Sequence, residues 1–226
     1  GFMLLKALKR FAEVAAAAVV LQSCFVTAVA DTLQVRVVDV NRIPVTGVAV
    51  FVEQHGATRS PGVPQPATMD QRHRAFVPHV LVVQKGASVD FPNSDVYAHH
   101  VYSFSKPNDF ALPLYKGTPH DPVQFEHPGI VTIGCNIHDG MLGYILVVDT
   151  DLFAMTDERG MVEIDVADDA SSWVVKAWSP RIRDSREPLS QVIESGQPLS
   201  VTFALSKKLG PEHQSHSESV EWDSYD

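Results

Sequence analysis

The chain has 226 residues, 45% of them hydrophobic, and a formal net charge of −9 from 18 basic and 27 acidic side chains. The apolar content suffices for packed domains. The acidic balance disfavours nucleic acid and anionic membrane surfaces, which carry the same sign, and favours a partner with a basic docking surface.

In chain order, residues 1–30 read as an export signal. Lys6, Lys9 and Arg10 form a basic start, an Ala/Val/Leu run follows, and Ala28-Val29-Ala30 offers small residues for cleavage before Asp31. Cleavage near Ala30 predicts a periplasmic or otherwise extracytoplasmic mature chain with no membrane span. Residues 21–24 give only a poor version of a lipidation box at Cys24, because Gln22 fits it badly. Losing this segment removes Lys6, Lys9, Arg10 and Glu13, so the formal −9 becomes −11. It also removes Cys24, leaving Cys135 as the sole thiol in an oxidising compartment, where it calls for burial, pairing with another chain or ligation.

Residues 31–68 predict an N-terminal strand pair, 33–39 and 48–52, joined by a turn at Asn41-Arg42-Ile43-Pro44 and followed by a Gly/Pro/Ser/Thr-rich linker. Residues 69–149 read as short strands. Segments 80–83 and 88–91 flank Lys85-Gly86 as a hairpin, 101–104 alternates behind His99-His100, and 123–126 and 130–133 lead to Cys135. An apolar final strand runs over 142–148. Residues 150–206 hold strands at 161–166, 173–178 and 199–205. Residues 207–226 are too polar and acidic to pack. No segment has helical periodicity, so the fold class is all-β.

The chemistry concentrates in Cys135-Asn-Ile-His138-Asp-Gly-Met141, on the connection between two strands, with the histidine pair upstream. Two imidazoles, one thiolate and a weak axial thioether suit one copper ion in both Cu(I) and Cu(II), because the set lies between the preferences of the two states. A structural zinc site lacks its second cysteine, a binuclear copper loop likewise, a multicopper oxidase lacks its His-x-His pairs, and haem attachment lacks Cys-x2-Cys-His. Neighbouring side chains on a strand point to opposite faces, so His99 and His100 cannot both enter one site. Phe91, Phe104, Leu142 and Tyr144 are candidates for an apolar shell, and Asn93 and Asp95 could pin the loop or simply make a turn. His55, His73, His79, His120 and His127 read as ordinary polar positions, and His213 and His216 as part of a solvated tail.

On these residues the segment from about Thr68 to Asp149 resembles a cupredoxin. The C-x2-H-x2-M spacing is similar to the short ligand loop of amicyanin among the plastocyanin-like proteins. Met69-Asp70-Gln71, Phe76-Val77-Pro78, residues 91–95, residues 99–104 and Leu112-Pro113-Leu114-Tyr115 are similar to bacterial exported cupredoxin-domain proteins often labelled methylamine utilization proteins, a label that does not itself imply methylamine as substrate. The resemblance implies His99, Cys135, His138 and Met141 as copper ligands, with His99 standing where the family has its upstream histidine, and Asn93 and His100 beside them. Ala98 and His100 depart from the family's proline and asparagine. The flanking strands resemble the small transthyretin-like or carboxypeptidase-regulatory β-sandwich. The fold expected is therefore a cupredoxin Greek-key β-sandwich plus a small transthyretin/carboxypeptidase-regulatory-like β-sandwich, with residues 31–68 belonging to either.

No catalytic constellation stands out, so the chain reads as a non-enzyme. Two functions follow from the ligand set: a single-electron carrier between redox proteins, such as a c-type cytochrome or a dehydrogenase with a basic docking surface, or a periplasmic protein that binds or delivers copper without electron transfer. The small number of methionines and cysteines favours the carrier.

Overall fold

The computed structural model describes residues 30–117, 121–138, 140–183 and 187–211. The proposed signal segment with Cys24, the tail with His213 and His216, and His120 lie outside the described residues. Among these residues there is no helix; the elements are seventeen strands. The first two are β1 (Ala30–Val38) and β2 (Ala49–His55). Ten more follow in one stretch: β3 (Ala67–Thr68), β4 (Asp70–Arg72), β5 (Ala75–Val77), β6 (Val80–Gln84), β7 (Ala87–Asp90), β8 (His99–Ser103), β9 (Phe110–Tyr115), β10 (Val123–Phe125), β11 (Gly129–Cys135) and β12 (Leu142–Val148). The last five are β13 (Phe153–Met155), β14 (Met161–Ala167), β15 (Ser172–Trp178), β16 (Leu189–Glu194) and β17 (Ser200–Ala204).

Pairing sorts these strands into two units. An outer unit joins the ends of the chain in two sheets, ordered β14-β1-β17 and β13-β2-β15-β16. The alternation in β1 explains its place: Leu33, Val35 and Val37 are fully buried while Thr32, Gln34 and Arg36 face solvent. These side chains meet Val50, Val52, Trp173 and Val175 of the other sheet in one core. Two aspartate turns close the outer unit. Asp39 Oδ1 accepts from the backbone N–H of Asn41 and Ile43, and Asp157 Oδ1 from those of Arg159 and Met161. Gly160 sits at φ +67°, where a Cβ would come within 2.5 Å of the Val37 carbonyl oxygen.

The stretch from β3 to β12 is inserted between these strands. Its sheets are ordered β10-β7-β3 and β6-β12-β11-β8-β9, with β4 and β5 paired beside them. They enclose a core that includes Phe76, Phe91, Phe125, Ile133, Ile145 and Val147. Strands β2 and β12 are buried on both faces. Phe51 from one, Leu146 and Val148 from the other, and Trp178 form a third cluster that joins the units.

Two local expectations are corrected. Residues 80–83 and 88–91 do not form a hairpin: β6 pairs parallel with β12, whereas β7 pairs with β10 and β3. Lys85 N–H donates to Val148 O and Gly86 N–H to Phe125 O, so this turn arches from one sheet to the other. Nor do the first two strands pair with each other. β1 pairs with β14 and β17, β2 with β13 and β15, and residues 39–48 cross between the sheets. Both connections look alike locally to a hairpin turn, and only long-range partners distinguish them.

Candidate metal centre

Antiparallel pairing of β8 with β11 sets Cys135 opposite Val101. His99 lies two residues before Val101 and therefore on the same face, which points into the core: His99, Val101 and Ser103 are buried and alternate with His100 and Tyr102. The loop of residues 136–141 returns His138 to this place. Its turn is closed by Met141 N–H donating to His138 O at 3.2 Å and Cys135 N–H donating to Met141 O at 3.2 Å.

The result is a cluster of three donors. His99 Nδ1 lies 3.6 Å from Cys135 Sγ, His138 Nδ1 lies 4.0 Å from the same sulfur, and the two nitrogens are 3.1 Å apart. The point equidistant from the corners of that triangle is about 2.1 Å from each, inside the ~2.0–2.3 Å range of bonds from a divalent ion such as zinc to imidazole nitrogen and thiolate sulfur. These residues can hold one metal ion.

Hydrogen bonding prepares the donors. Asp95 Oδ2 lies 2.8 Å from His99 Nε2, so the Nε2–H donates to the carboxylate and Nδ1 keeps a lone pair directed at the cluster. Asp95 is itself held by the backbone N–H groups of His73 and Arg74 at 2.9 and 2.8 Å. Burial disfavours ionising it, but the hydrogen bonds from Arg74, His99 and His73 prevail and hold it below the ordinary carboxylate value. Burial, then His99 and Arg74, push His138 below the ordinary imidazole value, which favours the neutral form that a metal ligand requires.

A polar network supports this end of the inserted unit. Asn93 Nδ2 donates to the carbonyls of Tyr97 and Tyr115, and its Oδ1 accepts from Asp95 N–H. Gln71 Nε2 donates to Tyr115 Oη at 2.5 Å and to Phe91 O, while the Tyr115 hydroxyl donates to Phe91 O. Burial first of all pushes that phenol up to about 12.

The remaining site candidates separate. Met141 is buried in the same core as Cys135 and Phe91. His100 faces the other side of the sheet, its ring 5.5 Å from that of Tyr102, as strand alternation requires. Phe104 is corrected as a shell residue: it lies beyond the end of β8 and is 83% exposed. Tyr144 turns toward the joint between the units, where its ring meets that of Trp178. A cavity of about 550 Å³ at that joint is lined by His79, Tyr144, Met155 and Arg181, and none of the three donors lines it.

Sequence reasoning leaves Asp95 open between loop pin and turn residue, and misses Arg74 and Tyr97. The guanidinium of Arg74 lies 4.9 Å from the centre of the Tyr97 ring, and that ring meets His138 edge-on at 5.9 Å. An aspartate four residues before a candidate ligand is the one available signal.

No protein-family model matches the chain, and no curated protein matches it. Among solved structures, the chain is similar to the Cu-containing nitrite reductase of Thermus scotoductus SA-01, at 26% identity over 42% of this chain and 25% of that one, with a TM-score of 0.35. A purple cupredoxin from Nitrosopumilus maritimus matches at 20% identity over 36% of this chain and 99% of that one, with a TM-score of 0.33. A pseudoazurin from Sinorhizobium meliltoi matches at 21% over 38% and 76%, with a TM-score of 0.30. The chain thus spans a quarter of the reductase, and each likeness leaves more than half of this chain uncovered.

Proposed function

We propose that this chain is an exported, mononuclear copper protein of cupredoxin type that carries single electrons and is not an enzyme. The observation behind this reading is the convergence of one sulfur and two nitrogen donors on a point at bonding distance from all three. The donor set fits copper better than its competitors, since a single thiolate with two imidazoles and a neighbouring thioether lies between Cu(I) and Cu(II) preferences. Copper would supply the one-electron change, with His99, Cys135 and His138 as its close ligands and Met141 as the weak fourth.

The chain's own part is to fix these groups before the ion arrives. Asp95 sets the His99 tautomer, β8 and β11 hold His99 and Cys135 in register, and the buried core keeps water from the sulfur. His138 is half-buried whereas His99 and Cys135 are buried, so its ring edge is the port through which an electron meets the outside. The outer unit we read as a scaffold.

The test is to load the mature chain with copper, record its visible and paramagnetic spectra, and measure its potential. An intense thiolate-to-copper band that is lost in Cys135→Ser, with reversible one-electron cycling, is expected. Tight Cu(I) binding without a stable oxidised form would instead assign it to copper delivery, and a chain that binds neither Cu(I) nor Cu(II) would overturn both.

A further inference from the structure

The port at His138 has a chemistry opposite to that of the whole chain. Tyr97 meets the half-buried ring edge-on, Ile137 immediately precedes His138 and Val96 precedes Tyr97 in the chain. These three apolar side chains, Val96, Tyr97 and Ile137, are exposed at 70, 46 and 51%. Arg74 lies over Tyr97, is itself exposed, and enters no ion pair among the described residues. Carboxylates at the same end are turned inward. Asp70 has a side chain only 9% exposed, its oxygens taken by Ser94, Gln71 N–H and Arg72. Asp95 is 10% exposed and accepts from His99 and from the backbone of residues 73 and 74. Asp139, next to His138 in the chain, lies outside the described residues.

From this arrangement we infer that the redox protein docking at this port presents an apolar contact face rimmed by carboxylates, one of which meets the Arg74 guanidinium. The net charge of −9 argues for a basic partner, but charges farther than ~8 Å are largely screened at physiological salt, so Arg74 outweighs distant acids in the docked state. An exposed apolar patch rimmed by polar groups is the signature of such a surface. The guanidinium suits this contact because it is planar, already stacked on an aromatic face, and matched to carboxylate geometry.

The inference rests on His138 being the electron port, and two measurements separate the two ideas. First, nuclear magnetic resonance of the metal-free chain with the inert paramagnetic trianion hexacyanochromate(III), and separately with the trication hexaamminechromium(III), maps the sign of the surface without any electron transfer. Broadening of the signals of Arg74, Tyr97 and Ile137 by the anion, weakened several-fold in Arg74→Gln, is expected. Broadening there by the cation, or an anion response unchanged in Arg74→Gln, overturns the charge assignment.

Second, the reduced copper-loaded chain is mixed with hexacyanoferrate(III), which takes one electron to become hexacyanoferrate(II), or with a cationic cobalt(III) phenanthroline complex, which becomes cobalt(II). Arg74→Glu is expected to slow the anionic acceptor on the order of ten-fold at low ionic strength and to speed the cationic one. Ile137→Asp slowing the anionic acceptor and speeding the cationic one while Arg74→Glu changes neither leaves the port in place and overturns the acidic partner. No effect of Ile137→Asp on either acceptor overturns the port itself.

Discussion

Strands β1 and β8 alternate alike but turn different chemistry inward. On β1 the buried positions are Leu33, Val35 and Val37; on β8 they are His99, Val101 and Ser103. Each fully buried aliphatic side chain on β1 stabilises by about 1.5–3 kcal/mol with no partner required. An imidazole in the same kind of position is costly unless both nitrogens are satisfied. Asp95 satisfies one, and the other faces Cys135 and His138. Buried polar groups follow the same division: among the described residues, Asp70, Gln71, Asn93, His99 and Ser103 belong to the inserted unit, whereas the outer unit buries the hydroxyl residues Thr150, Thr156 and Ser179. One unit therefore devotes its interior to stability and the other to a site.

The largest test of this contrast pairs two substitutions. Cys135→Ser is expected to abolish the intense visible band of the copper-loaded chain entirely. Leu33→Ala, in the outer core, is expected to destabilise by roughly 2–5 kcal/mol in denaturant titrations while leaving that band unchanged in the folded protein. If Leu33→Ala weakened the band under native conditions, the site would depend on the outer core and the contrast would fail.

A smaller effect is expected from Asp95→Ala, which removes the acceptor that fixes the His99 tautomer. Metal affinity measured against a competing chelator should fall about 10–100-fold, with the β-sheet circular dichroism retained. Unchanged affinity would show that β8 alone orients the ring.

The same contrast governs what can be read without a structure. The apolar run of 142–148 coincides with β12 because burial on both faces leaves a continuous signal. Cys135 and His138 are three residues apart, so any tight return of the loop brings them together. Partners set by distant chain are another matter. Lys85-Gly86 has the local chemistry of a hairpin turn, yet its flanking strands lie in different sheets. Asp95 is held against His99 by the N–H groups of residues 73 and 74, both at positive φ and 22 and 21 positions away in the chain, which donate to the same carboxylate. Phe104 resembles a core residue in sequence only by its apolar ring, since it shares the parity of the outward His100 and Tyr102 and lies beyond the end of β8.

Within the outer unit, Gly160→Ala is expected to cost roughly 1–3 kcal/mol, because φ +67° is strained for a side chain and the new Cβ meets the Val37 carbonyl. Chemical denaturation would measure it. A cost near zero would mean that the hairpin at Asp157 gives way and the outer sheets are looser than their packing suggests.

The smallest effect concerns the linker. Arg59 donates to both oxygens of Asp151, and Gly62 N–H adds a bond at 2.9 Å. The hydrogen bond from Arg59, above all, holds the Asp151 carboxyl below its ordinary value of 3.8. A depressed carboxyl contributes stability that is fully present above the unfolded value and is lost as pH falls through the folded one, so the loss belongs below about pH 4. Arg59 is 45% exposed, so solvent screens the pair and its worth is about 0.2–1 kcal/mol. Asp151→Asn should therefore lower stability slightly at pH 7 and flatten its decline below pH 4. A wild-type decline equal to the variant's would place the acid sensitivity elsewhere, with Asp70 and Asp95, both depressed as well, as the next groups to replace.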